Sequence, residues 1–166
     1  RSKGTKLVCL DSFFNKPGIY EIEMGTPMKT IIEDFGGGFK EPVKAMQIGG
    51  PLGGLVPTHK IDDLTLDFES FANEGFLLGH ASVVCVPETY PMIDFLEHIM
   101  DFAQYESCGK CFPCQLGSQR QMEILDRIAN NGGAKPTDKQ ALLDLGFTMT
   151  ETSLCGLGQT AASAVV

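Results

Sequence analysis

The chain has 166 residues, 43% of them hydrophobic, which suits one ordinary domain or two small ones and excludes a disordered or collagen-like polymer. A net charge of −8 sets a polyanion against repulsion over most of the surface. The lysines Lys3, Lys6, Lys40, Lys44 and Lys60 form no stripe, so nucleic acid is excluded as an expected partner. No run approaches the roughly 18 to 20 apolar residues of a membrane span, and RSKGTKLVCLDSFF lacks the apolar stretch and cleavage site of a secretion signal, so a soluble, non-secreted protein is expected.

The elements begin with Lys6 to Leu10, a short β-type run. A turn signal, Asn15-Lys16-Pro17-Gly18, leads into Ile19 to Glu23, whose alternation reads as a half-buried strand, and the pair predicts a hairpin. Thr26 is placed to cap a helix with Pro27 at its first position. Met28, Ile31, Ile32 and Phe35 recur at helical spacing before Gly36-Gly37-Gly38 ends it. Val43 to Ile48 is a further apolar stretch running into Gly49-Gly50-Pro51-Leu52-Gly53-Gly54. Four glycines there match neither the dinucleotide fingerprint nor the phosphate-loop pattern, so a tight structural loop is favoured over an anion-binding one. Ala81 to Val86 closes this half as a third or fourth strand. The strand, strand, helix, strand order is typical of a ubiquitin-like β-grasp unit over residues 1–87.

Residues 88–166 change to a helical grammar, which makes the whole an α+β chain with a small helical bundle following the β-grasp half. Ile93, Phe95, Leu96, Ile99, Met100 and Phe102 give one broad apolar face ending near Ser107. Met122, Ile124, Leu125 and Ile128 mark a second helix that closes at Gly132-Gly133. Thr137 with Gln140 fits a capping box before Leu142, Leu143 and Leu145, and residues 160 to 166 read as the start of a fourth helix.

Six cysteines divide into two kinds. Cys9 and Cys85 sit singly in apolar stretches, KLVCL and SVVCV, where a free cysteine behaves as a small buried hydrophobe. Cys108, Cys111 and Cys114 instead fall two residues apart in ESCGKCFPC. There one tight turn, with Gly109 free to take an unusual conformation, points three sulfurs at a common centre. A cubane iron–sulfur cluster needs one more thiolate, and Cys155 supplies it after two helices that return the chain to its start. Phe112 and Pro113 are expected to shield the group from water. Zinc is the competing occupant, although structural zinc sites usually draw on two separated pairs of ligands. Unrelated structural cysteines are a third reading. No flavin or nicotinamide motif emerges, and His59, His80 and His98 are isolated, so no hydrolytic or transferase machinery is expected.

ESCGKCFPC at 106 to 114, SLCGLGQTA at 153 to 161 and GGPLGG at 49 to 54 together resemble the C-terminal part of the NADH-binding flavoprotein subunit of respiratory complex I and the equivalent subunits of NAD-linked or electron-bifurcating hydrogenases and formate dehydrogenases. The resemblance implies a soluble-ligand-binding (SLBB) β-grasp domain over 1–87 and a helical domain over 88–166 holding one [4Fe-4S] cluster on Cys108, Cys111, Cys114 and Cys155. It implies an electron-transfer role in an NADH dehydrogenase-type complex, relaying single electrons between FMN and the clusters of partner subunits. FMN and NAD are implied only for an N-terminal flavin domain absent from these residues, so the chain alone is expected neither to bind nor to oxidise NADH. The implied partners are that flavin domain and a ferredoxin-like iron–sulfur subunit, and the implied location is cytoplasmic, or peripheral on the cytoplasmic or matrix side of a membrane complex. The alternative is a non-redox binding module with a structural metal site. Gln115, where the family commonly has arginine, Gly79-His80-Ala81 in place of a Gly-Ser-Gly-like stretch, and the ending AASAVV depart from the family pattern.

Overall fold

A computed structural model describes residues 2–166, which fall into two compact units divided after Thr89. Among the described residues the first unit is built on a five-stranded mixed sheet. β1 (Thr5–Leu10) and β2 (Gly18–Glu23) form the expected antiparallel hairpin, with Val8 opposite Tyr20. β3 (Val43–Ile48) pairs antiparallel with β4 (Gly54–Pro57) and with β5 (Val83–Pro87), and β5 lies parallel to β1, which gives the order β2-β1-β5-β3-β4.

The strand period sorts the side chains. Val8, Leu10 and Ile22 enter the core, while Leu7, Cys9 and Ile19 stand on the other face. Cys9 is therefore exposed, against expectation. Its apolar neighbours in KLVCL are split between two faces by the alternation, and an apolar run alone does not say which member turns outward.

The segment after Pro27 is α1 (Met28–Thr30), continued by a π-helical turn over Ile31–Phe35. Thr26 does not cap it: Pro27 holds the cap position, and the Thr26 hydroxyl donates to the Glu23 carbonyl at 2.8 Å. Met28, Ile31 and Ile32 nevertheless pack on the inward residues of the strands, with Met46, Ile48, Leu64, Leu66 and Phe71 completing one apolar core. Each such large side chain contributes on the order of 1.5–3 kcal/mol by leaving water.

Three elements lie outside the sequence reading: β4, a 3₁₀ turn over Thr58–Asp63, and α2 (Phe68–Asn73), so the last strand is the fifth. α2 starts where the Asp67 carboxylate accepts the Ser70 N–H at 2.7 Å. The Gly49–Gly54 loop needs glycine for its backbone path. Gly49 has φ +96, and a side chain there would strike the Leu78 carbonyl oxygen at 2.6 Å, so its hydrogen is what lets the chain segments pass.

The second unit is helical among the described residues: α3 (Met92–Glu106), α4 (Phe112–Arg127) with a π-helical end over Ile128–Gly132, α5 (Asp138–Thr152) and α6 (Gly156–Thr160). Thr137 holds the cap position of α5 without a side-chain bond to the helix. Asp138 does the local work instead, accepting from the Lys135 N–H and from Arg127, both at 2.6 Å, and Gln140 turns to Asp144 rather than back to the cap. The last helix ends at Thr160, so residues 161–165 continue as turns and not as the helix expected there. No helix of the described residues is long and apolar enough to cross a membrane.

The interior here differs from that of the first unit. Ile99, Met100, Ala103, Leu125 and Met149 are buried beside Ser118, Gln121, Gly117 and Gly146. A methyl group at Gly117 would lie 2.5 Å from Met149 Cγ, so α4 and α5 approach through a glycine.

Candidate metal centre

The cysteine segment begins where α3 stops. Ser107 takes an extended conformation and Gly109 a left-handed one, φ +71, which breaks the helix and turns the chain back. Cys111, also extended, caps α4, and Pro113 sits in the first turn, where its missing N–H costs nothing. The three thiols are thus spread over a loop, a cap and a helical turn: Cys108 lies in the loop, Cys111 at the cap and Cys114 on α4. This corrects the single tight turn read from the spacing, because Phe112 already begins the helix.

The α4–α5 hairpin brings Cys155 back, at the cap position of α6. The backbone N–H of Leu154 hydrogen-bonds the Cys111 sulfur, tying the two cysteine segments together. Further donors around Cys111, its own N–H and the backbone and thiol of Cys114 among them, join the Leu154 N–H in holding its thiol below the usual range. Cys114 is 5% exposed, and burial pushes its thiol up. A bond to Ser107, whose Oγ lies 3.4 Å from Cys114 Sγ, works against that shift, while Cys111, Cys155 and Cys108 are near enough for their charges to reinforce it. Cys108 and Cys155 are exposed. Among the described residues no three His, Cys, Asp or Glu side chains converge on the position of one metal ion.

Three residues of this region lie outside the sequence reading. Ser153 is 6% exposed and its Oγ has no partner. Gly158 lies against it: a methyl there would sit 2.6 Å from Ser153 Cβ and 2.8 Å from Cys114 Cβ. Ser107 is the third. The signal in the sequence is the repeated Ser-Cys-Gly and Ser-x-Cys-Gly pattern around Cys108 and Cys155, which places a hydroxyl beside each segment.

Residues 94–166 match the family described as the NADH-ubiquinone oxidoreductase-F iron-sulfur binding region. Relatives align over nearly the whole chain. The NADP-reducing hydrogenase subunit HndC of Solidesulfovibrio fructosivorans is 38% identical over 161 residues, covering 96% of this chain and 32% of that protein. The mitochondrial NADH dehydrogenase [ubiquinone] flavoprotein 1 of Dictyostelium discoideum is 30% identical over 98% of this chain and 34% of its own length. The chain therefore spans about a third of these relatives. Among solved structures, an NAD+-reducing [NiFe]-hydrogenase in the H2-reduced state superposes with a TM-score of 0.84 at 27% identity, covering 98% of this chain and 27% of that one.

The group carried by this iron–sulfur region is a [4Fe-4S] cluster, which replaces the zinc reading. The residues present fit it. The donors are soft thiols with no carboxylate or imidazole among them, an N–H and a hydroxyl already face the sulfurs, and a buried hydroxyl stands without a partner beside Cys114. The expected shielding by Phe112 fails. Phe112 is 76% exposed and covers nothing in this chain, because at the first helical position its side chain projects outward. Gln115 is also exposed, with its amide near Gly109. Cys85 is set apart as expected: it is buried, and burial together with the Asp11 carboxylate pushes its thiol far up, so it stays protonated and inert.

Proposed function

We propose that this chain is an electron-transfer module of an NADH-linked oxidoreductase complex, in which Cys108, Cys111, Cys114 and Cys155 hold the [4Fe-4S] cluster. The observation that carries the reading is the match of residues 94–166 to an iron–sulfur binding region, and the packing of Gly158 against Cys114 supports a site made jointly by two segments separated by a whole hairpin. The cluster supplies one-electron redox chemistry when bound. The protein's own residues orient the thiols: Gly109 and Pro113 set the entry to α4, and Gly158 lets α6 approach Cys114. Cys111 at the N-terminus of a 16-residue helix is stabilised as thiolate by the helix dipole as well as by its hydrogen bonds. Exposure of Cys108 and Cys155 leaves one side open, as a relay between a flavin and a partner's clusters requires.

Residues 1–87 are assigned a β-grasp domain of the soluble-ligand-binding type and 88–166 a helical cluster-binding domain, a reading supported by the sheet order and by the change of structure near Thr89. FMN and NADH are assigned to a flavin domain outside these residues, and a ferredoxin-like iron–sulfur subunit to the partners. The complex is placed in the cytoplasm or peripherally on a membrane. The test is anaerobic reconstitution: about four irons per chain, broad absorption near 400 nm in the oxidised protein and an electron paramagnetic resonance signal on reduction. One zinc and no colour, or a cluster that cannot be reduced and reoxidised, would leave the non-redox module in its place.

A further inference from the structure

Ser153 is fixed in every respect but one. Its N–H donates to the Met149 carbonyl at 3.1 Å, and its carbonyl accepts from the Gln159 amide at 3.1 Å. Only the hydroxyl, buried with the residue 6% exposed, has no partner. A buried hydroxyl without a hydrogen bond is destabilising, a loss that alanine at this position would avoid. The other buried orphan among the described residues, Gln121 Oε1, is an acceptor whose amide nitrogen already donates to the Leu142 carbonyl at 3.0 Å. Sulfur as a thiolate or sulfide accepts but does not donate, so it satisfies a hydroxyl and not a carbonyl oxygen. Ser153 lies beside Cys114 across the side-chain-free Gly158, two residues before Cys155.

Ser107 stands near the same cysteine. Its oxygen accepts the Gly109 N–H at 3.4 Å and lies 3.4 Å from Cys114 Sγ. Once Cys114 is deprotonated to bind metal its sulfur has no hydrogen to give, so the Ser107 hydroxyl is the donor.

We propose that Ser153 is a hydrogen-bond donor to the sulfurs of the [4Fe-4S] group at Cys114 and that, with Ser107, it raises the reduction potential of that group. This rests on the cluster reading above. Reduction adds one negative charge, hydrogen bonds to the sulfurs strengthen with it, and donors therefore favour the reduced form.

The experiment uses the full chain reconstituted anaerobically. Iron content of the unmodified protein tests the underlying reading, and failure there takes this inference with it. Ser153→Ala is expected to hold the same iron but to show about a tenfold lower ratio of reduced to oxidised cluster at a fixed potential, equivalent to about 59 mV for one electron. Ser153→Thr, which keeps the hydroxyl, restores the ratio. A coupling from an exchangeable proton, detected by electron–nuclear double resonance after transfer to deuterated water, is lost in the alanine variant. Full iron with an unchanged potential and unchanged coupling in Ser153→Ala overturns the proposal, and so does loss of iron in that variant, which would make the hydroxyl a folding element only.

Discussion

Gly158→Ala isolates the contact that closes the metal centre. Gly158 lies in α6 without a left-handed backbone, so the substitution carries no strain in φ, and helix propensity alone would return up to about 1 kcal/mol. Against that stands the added methyl, 2.6 Å from Ser153 Cβ and 2.8 Å from Cys114 Cβ, where ordinary carbon contacts lie at about 3.5–4.0 Å. One side must retreat by roughly 1 Å. Ser153 is held at both backbone groups, and Cys114 is built into the first turn of α4, so the retreat separates α6 from α4. Overpacking of this kind costs about 1–3 kcal/mol, and with two carbon contacts this short the upper half of that range applies, which leaves a net loss of about 1–2 kcal/mol, or a fall of roughly 2–8 °C in the melting transition. Gly156→Ala is the matched control, because nothing lies within 4 Å of the new methyl. It should be neutral or stabilising by up to about 1 kcal/mol. The two variants are compared by thermal circular dichroism and by iron bound after reconstitution. If Gly158→Ala melts at or above the unmodified chain and binds iron as fully as Gly156→Ala, the packing argument is wrong.

Cys155→Ser is expected to abolish iron binding, while Cys9→Ser and Cys85→Ala retain it, as read by iron assay; equal retention in all three would remove Cys155 from the ligand set. The Asp138 carboxylate, bonded to Arg127 and to the Lys135 N–H, is held below the usual carboxylate range. Its contribution is therefore full above the unfolded value of about 3.9 and is lost as pH falls through the lower folded value. Denaturant midpoints should separate Asp138→Asn from the unmodified chain by a constant gap above about pH 5 and by a shrinking one below about pH 4; a gap that does not shrink counts against the pairing. Ala81 is fully buried with φ +66, a conformation costing an alanine about 1–2 kcal/mol. Ala81→Gly removes that cost but loses a buried methyl, about 0.8 kcal/mol, and adds unfolded-state freedom, about 0.4–1 kcal/mol, so its stability should stay within about 0.5 kcal/mol of the original. Ala81→Val should lose about 2 kcal/mol or more, and a stable valine variant would contradict the left-handed assignment.

The hairpin of β1 and β2 and helices α3 to α5 were legible because each carries a full period of apolar spacing between turn residues. β4 was not: Gly54–Pro57 is four residues long and contains both a glycine and a proline, so its place in the sheet comes from pairing with β3 and not from local preference. α2, at six residues, is equally short, and its Asp67 cap is recognisable only once the chain around it is placed. At the candidate centre, the nearness of Cys108, Cys111 and Cys155 to Cys114 was legible from spacing, since two-residue intervals are chemistry more than packing. Ser153 and Gly158 were not, because their importance is a distance to Cys114 across the fold. The Thr26 and Thr137 caps misled for different reasons: Thr26 sits one residue before the cap position and donates to the Glu23 carbonyl, whereas Thr137 holds the position but makes no side-chain bond to the helix.

The small and partly polar interior of the helical unit bears on how that unit coheres. With glycines at two helix contacts and Gln121 and Ser118 inside, it draws less on apolar burial than the sheet unit does. If Cys114 and Cys155 bind one metal group, as proposed, they join points roughly 40 residues apart, a covalent loop of the kind that removes about 4 kcal/mol of chain entropy from the unfolded state. That is a large share of the stability of an ordinary domain. The thiols would then fasten the α4–α5 hairpin as much as seat electrons, and loss of metal would loosen the fold from its C-terminal end inward.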